Sequence, residues 1–190
     1  MFKRGGIIAY PTETFYALGV DPFNPAAIEA LFHLKGRSFS NPVALIIAGE
    51  DMLRAVAGDT PPAAKKLMES FWPGPLTIVM KARASVPPVL IGSTGKVGVR
   101  MPGHPAARAL SATLRSPITA TSANPTGARP PVTAGEVLGY FDGSIDMLID
   151  AGTLAGRLGS TIVDVTGTEP RIIREGEIPS SEVFEALQRP

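Results

Sequence analysis

The segment NPAAIEALFHLKGRSFSNPVALII, Asn24 to Ile47, decides the fold class. Asn24-Pro25 reads as an N-cap followed by proline at the first helical position, where the missing N–H has no partner to lose. Ala27, Ile28, Leu31, Phe32 and Leu34 then recur at helical spacing. Gly36 suits the residue that closes such a helix. After a polar stretch, Val43 to Ile47 is a short apolar run, the pattern of a buried strand. A helix and a strand that each bury an apolar face predict an α/β architecture.

The same mixture continues on both sides. Ile7 to Tyr10, ended by Pro11, reads as a strand. Thr60-Pro61 opens a helix running to about Ser70. Leu76 to Met80 and Val97 to Met101 read as strands, Pro105 to Leu114 as a helix, and Ile118 to Thr121 as a strand. Thr133 with Glu136 is a capping-box pattern. Asp146 to Ile149, Thr161 to Val165 and Arg171 to Ile173 read as strands, and Ser180-Ser181 opens a short helix. Strands and helices do not alternate strictly, so a twisted mixed β-sheet with flanking helices is expected. No linker, repeat or low-complexity tract divides the chain, which predicts a single domain over residues 1–190.

Composition narrows the function classes. Hydrophobic residues make up 44% and charged residues 18%, and the formal net charge is +1. A broad nucleic-acid platform carries more surplus positive charge; an anion site here must gather a few cations locally. With no cysteine, disulfides, thiolate metal sites and a Cys nucleophile are excluded. That composition fits a reducing compartment, and cytoplasmic localisation is expected. Met1 to Gly6 does not read as a signal peptide, and no apolar run approaches the roughly 20 residues that span a bilayer.

Chemistry-bearing residues fall in five segments beside strand or helix ends, where a rigid scaffold displays functional groups. Thr12-Glu13-Thr14 with Tyr16 follows the first strand and suits a small amino-acid ligand; the structural alternative is a threonine that caps a helix. Lys35-Gly36-Arg37 through Asn41 places two cations at a helix C-terminus. They complement the helix dipole, and a point charge with a flat fork of donors also suits a polyphosphate. Arg100 stands among apolar neighbours at a strand end and needs an anion, either a ligand or an internal carboxylate. His104 precedes a proline-started helix. Thr119 to Gly127 and Gly159 to Asp164 offer small residues and hydroxyls, and Arg174 ends a strand. No Walker loop is present: Gly92-Ser93-Thr94-Gly95-Lys96 has the wrong glycine spacing and Val97 where a hydroxyl belongs. G-x-G-x-x-G, H-E-x-x-H and G-x-S-x-G patterns are also missing.

In order and spacing, these segments resemble the YrdC/Sua5 family. The resemblance rests on Pro11–Leu18, Lys35–Pro42, Trp72–Thr77, Val97–Pro102, Ser122–Gly127, Ser160–Asp164 and Ile172–Gly176, which together span nearly the whole chain. It implies a twisted α/β sheet around a deep positively charged cavity. The implied activity condenses L-threonine, bicarbonate and ATP to threonylcarbamoyl-AMP and pyrophosphate, for N6-threonylcarbamoylation of adenosine 37 in tRNA. Carried over position by position, Thr14, His104, Ala120 and Ser160 hold L-threonine. Arg37, Asn41, Arg100, Ser122 and Arg174 hold ATP, and Lys35 and Arg37 act on its phosphates. Mg²⁺ is expected on ATP rather than on protein ligands, and a downstream tRNA threonylcarbamoyl-transfer complex is the implied partner. Weak tRNA or double-stranded RNA binding is also implied; no membrane is.

Several positions depart from the family pattern. Ala17 stands for the usual glycine, Phe15 for valine and Ser38 for a common proline. Ile46 occupies a place where some members carry a histidine near threonine, and Ala128 to Pro131 lacks a serine some members use on ATP. The helix that usually precedes Gly5-Gly6 and the extra C-terminal domain of longer members are expected to be missing. Three other readings are open: an RNA-binding module with this fold, a paralogue with another carbamoyl-adenylate chemistry, and a divergent, inactive member. An aromatic content of 6% argues against the first.

Overall fold

The structure, a computed structural model, describes residues 1–189. Asn24 caps the first helix, α1 (Pro25–Lys35), by accepting the Ala27 N–H at 3.2 Å. Gly36 closes it at φ 60°, a conformation that L side chains resist. Ala27, Ile28, Leu31 and Phe32 form its buried face, and each fully buried large side chain contributes about 1.5–3 kcal/mol.

The strands are β1 (Ile8–Pro11), β2 (Tyr16–Gly19), β3 (Ala44–Ile46), β4 (Leu76–Lys81), β5 (Lys96–Arg100), β6 (Ile118–Ser122), β7 (Met147–Leu148), β8 (Thr161–Asp164) and β9 (Arg171–Arg174). They form one mixed sheet in the order β7-β1-β2-β6-β3-β5-β4-β8-β9. β3 runs parallel to β5 and β4 parallel to β8, while β2, β6 and β9 pair antiparallel. The edges are a two-residue strand and a bulged one, devices that blunt edge-to-edge pairing.

Alternation along the strands divides the core between the two sheet faces. Ala9, Tyr16, Leu18 and Leu45 join the larger cluster. Their neighbours Ile8, Tyr10, Ala17 and Ile46 join the smaller one, covered by Leu110 and Leu114 of α5 (Pro105–Leu114). The remaining helices are α2 (Glu50–Val56), α3 (Pro62–Phe71), the single-turn α4 (Pro88–Ile91), α6 (Ala134–Phe141) and α7 (Ser180–Gln188). The Thr133–Glu136 capping box forms as its residues require. Trp72 packs against the larger cluster and donates its indole N–H to the Leu76 carbonyl at 2.8 Å.

Sequence periodicity missed β2, α2 and α4. β2 is buried on both faces, so no apolar–polar alternation marks it. α2 has seven residues and Gly49 as its cap, without a side-chain acceptor. A 3-10 turn, Phe2–Arg4, precedes Gly5 and buries Phe2.

Candidate active site

Each strand from β2 through β9 in the sheet order lends residues to a cavity of about 530 Å³. Its floor is made of small side chains: Ala17 pairs with Ser122, and Ala44 with Ala120. Residues without bulk there leave room for a ligand against the sheet. Of the expected site residues, Thr14, Arg37, Arg100, Ala120, Ser122, Ser160 and Arg174 line this one space, although Thr14 and Arg174 are far apart in sequence.

One wall carries hydroxyls. Thr12 gives its proton to the Phe15 carbonyl at 2.7 Å and accepts the Thr14 and Phe15 N–H groups at 3.2 Å. The turn so made caps no helix; it leads into β2 and leaves the Thr14 hydroxyl, 3.0 Å from Thr12 Oγ1, on the cavity. With Thr12 committed as donor to Phe15, Thr14 keeps lone pairs for a ligand donor. On the same cavity's lining, Ser160 Oγ lies 2.9 Å from Thr77 Oγ1, another buried hydroxyl.

The other groups are cations. Arg37 donates Nε to the Asn41 carbonyl at 2.9 Å and Nη2 to the Pro42 carbonyl at 2.8 Å, so two of its five N–H bonds fix the guanidinium. Arg174 is held in the same way by the Ser160 carbonyl, at 3.3 and 2.7 Å. Burial lowers the pKa of both, and the charge of Arg100 lowers that of Arg174 further. Arg100 is 6% exposed. Its only carboxylate neighbour among the described residues is Glu13, at 3.8 Å, beyond hydrogen-bond reach. Glu175, also on the lining, turns its carboxylate onto the Ser180 N–H and hydroxyl. The cavity therefore gathers these three guanidinium groups against one carboxylate in ion-pair range, Glu13 beside Arg100, and the surplus positive charge attracts anions.

Three expected site residues stand elsewhere. Lys35 is 3% exposed and donates its ammonium to the Ser122 and Asn124 carbonyls, beneath the cavity rather than in it. Burial, reinforced by the charge of Arg37, brings its pKa down to about 8. Two carbonyls that only accept keep it protonated at neutral pH. Its role here is to hold the end of β6 in place. Lys35→Met leaves both carbonyls without a donor and is expected to remove about 3 kcal/mol of stability. Chemical denaturation measures this; unchanged stability with lost turnover would return Lys35 to the ligand. Asn41 is exposed and contributes its carbonyl to Arg37, not its amide to the cavity. His104 accepts the Ala106 N–H on Nδ1 at 3.2 Å and is thereby the N-cap of α5. Burial lowers its pKa, opposed by Glu13.

Thr77 and Arg157 also line the cavity and were not singled out. Thr77 lies inside the quoted Trp72–Thr77 stretch, but nothing local marks its hydroxyl as inward. Arg157 belongs to no quoted motif. It sits on the loop from 151 to 160, which crosses over the hydroxyl wall. Tyr16 anchors the start of that loop by donating to the Gly152 carbonyl at 2.8 Å and accepting the Ala151 N–H at 3.0 Å. At Gly156 the loop presses on the Thr14 backbone: a Cβ there would lie 1.6 Å from the Thr14 carbonyl oxygen. Among the described residues, no three His, Asp or Glu side chains gather as metal ligands, and no helix is long and apolar enough to cross a membrane.

Fold and cavity define an α/β protein built to hold an anion beside a hydroxyl-recognised group. The Sua5/YciO/YrdC family profile, described as "Telomere recombination", matches residues 1–176. The threonylcarbamoyl-AMP synthase of Pyrococcus abyssi is 38% identical over 97% of this chain and 54% of its own length. A putative threonylcarbamoyl-AMP synthase of Mycobacterium tuberculosis is 34% identical over 97% of this chain and 85% of its own. The crystal structure of P. abyssi Sua5 complexed with L-threonine superposes with a TM-score of 0.95 at 36% identity, over 98% of this chain and 55% of that one. The chain belongs to the Sua5/YciO/YrdC family. It spans about half the length of its Pyrococcus relative.

Proposed function

We propose that the chain condenses L-threonine, bicarbonate and ATP to threonylcarbamoyl-AMP and pyrophosphate. The observation that carries this reading is that hydroxyls able to meet an amino acid, Thr14 and Ser160, share one cavity with Arg37, Arg100 and Arg174. The names of the two synthase relatives and the threonine complex of P. abyssi Sua5 support the same substrates.

The chemistry asks for placement rather than a protein nucleophile. The threonine amine, once neutral, attacks the bicarbonate carbon with loss of water. An oxygen of the resulting carbamate then attacks the α-phosphorus, and the bond to pyrophosphate breaks. The three arginines stabilise the charge that moves onto the leaving phosphates. Alignment of two ligands in one cavity supplies the rest of the rate. No carboxylate or histidine cluster stands ready for it among the described residues, and Mg²⁺ would arrive on the triphosphate. The adenylate would pass to a tRNA threonylcarbamoyl-transfer complex in the cytoplasm, and any RNA affinity of the chain itself would be weak and salt-dependent.

Thr14→Ala tests the division of labour. It is expected to raise the KM for threonine about tenfold, the value of a lost hydrogen bond to a charged group, and to leave the KM for ATP within twofold. Equal rises in both constants would reject a threonine-side role for Thr14.

A further inference from the structure

We infer that Arg157 is a further substrate-binding residue, a guanidinium that closes on an anionic oxygen group of the ligand, and that Glu177 positions it. This rests on the two-ligand reading of the cavity. Arg157 lines the cavity, yet its side chain is exposed and makes no hydrogen bond among the described residues. Its backbone, in contrast, is fixed. Glu177 Oε1 accepts the N–H groups of Arg157 and Leu158 at 3.0 and 2.7 Å. The Glu177 N–H returns to the Gly159 carbonyl at 3.0 Å. One carboxylate thus spends an oxygen on two successive amides of an otherwise irregular loop, which fixes where the Arg157 side chain begins.

The loop's path explains what that side chain meets. Gly156 touches the backbone of Thr14, on the hydroxyl wall. Ser160, three residues after Arg157, accepts from Arg174 through its carbonyl. Arg157 therefore stands between the hydroxyl wall and the cationic wall, with free donors. A guanidinium there pairs with oxyanions in a bidentate manner. Two oxyanions fit that chemistry, the α-carboxylate of the amino acid and a phosphate of the nucleotide. In solution the side chain remains solvated until the ligand arrives, so its contribution appears in binding and not in stability.

Calorimetric titration of the full chain with ATP–Mg²⁺ and, separately, with L-threonine tests this, alongside pyrophosphate release. Arg157→Ala is expected to weaken one of the two ligands about tenfold, with the melting temperature unchanged. Weaker ATP binding assigns the group to a phosphate; weaker threonine binding assigns it to the carboxylate. Arg157→Lys recovers part of the loss, since it keeps the charge without the fork. Glu177→Ala raises the same ligand's KM by a smaller factor and leaves kcat near normal, as a positioning residue should. Unchanged affinity for both ligands in folded Arg157→Ala overturns the inference. Should the parent chain release no pyrophosphate while Arg157→Ala still weakens ATP binding, the synthase reading fails and the Arg157 assignment stands.

Discussion

Arg37→Ala is expected to lower kcat/KM for pyrophosphate release a hundredfold or more and to leave the protein folded. Arg37 reaches the cavity from the turn that follows α1, with its guanidinium clamped by the Asn41 and Pro42 carbonyls. Clamping removes rotamer freedom before the ligand binds, so little ordering cost remains when it does. A charge-assisted hydrogen bond to phosphate is worth about 1.5–3 kcal/mol. If the interaction strengthens as charge moves onto the leaving pyrophosphate, the loss falls on kcat as well as on KM. The fold survives because both clamped carbonyls lie in an exposed turn and find water once the side chain is gone. Arg37→Lys should recover little, since one ammonium cannot hold two carbonyls and still present a planar fork. Steady-state kinetics with a thermal melt of each variant checks this; near-normal turnover in a folded Arg37→Ala protein removes Arg37 from the phosphate site.

Gly156→Ala is expected to have an effect of similar size by a different route. The added methyl would fall 1.6 Å from the carbonyl oxygen of Thr14 and 2.7 Å from its Cα. Both partners are backbone, so no rotamer change relieves the clash; the loop or the Thr12–Thr14 turn must shift. A displacement near 1 Å at a substrate-holding group can lower turnover about a hundredfold. Overpacking of this kind also removes about 1–3 kcal/mol of stability. The threonine KM should rise more than the ATP KM, because the pressed residue is Thr14. Gly139→Ala is the control: it lies exposed within α6 with nothing within 4 Å of its Cβ position, so it should be neutral or slightly stabilising. Equal behaviour of the two variants would mean that the loop is free to move away from Thr14.

Local rules made much of the fold legible. Asn24, Pro25 and Gly36 bound α1 because capping is settled by adjacent atoms. Thr133 and Glu136 bound α6 for the same reason. Pro105 to Leu114 coincides with α5. β2 escaped because a strand buried on both faces has no period to detect. In the site, residue type marked the candidates, but the direction of each side chain depends on the sheet as a whole. Lys35 and Arg37 lie two residues apart across the αL turn at Gly36; one points beneath β6 and the other into the cavity. His104 caps α5 through Nδ1, a placement that its neighbouring Pro105 signals locally. Arg157 carried no local mark, since what places it is a carboxylate twenty residues later in the chain.

The reaction itself is tested most directly by pyrophosphate release from the purified chain with ATP, Mg²⁺, bicarbonate and L-threonine, omitting one component at a time. Release is expected to fall to background when either threonine or bicarbonate is left out. Release that continues without bicarbonate, or none at all from a chain that still binds ATP by calorimetry, would contradict the synthase reading and point to a different acceptor in the same cavity.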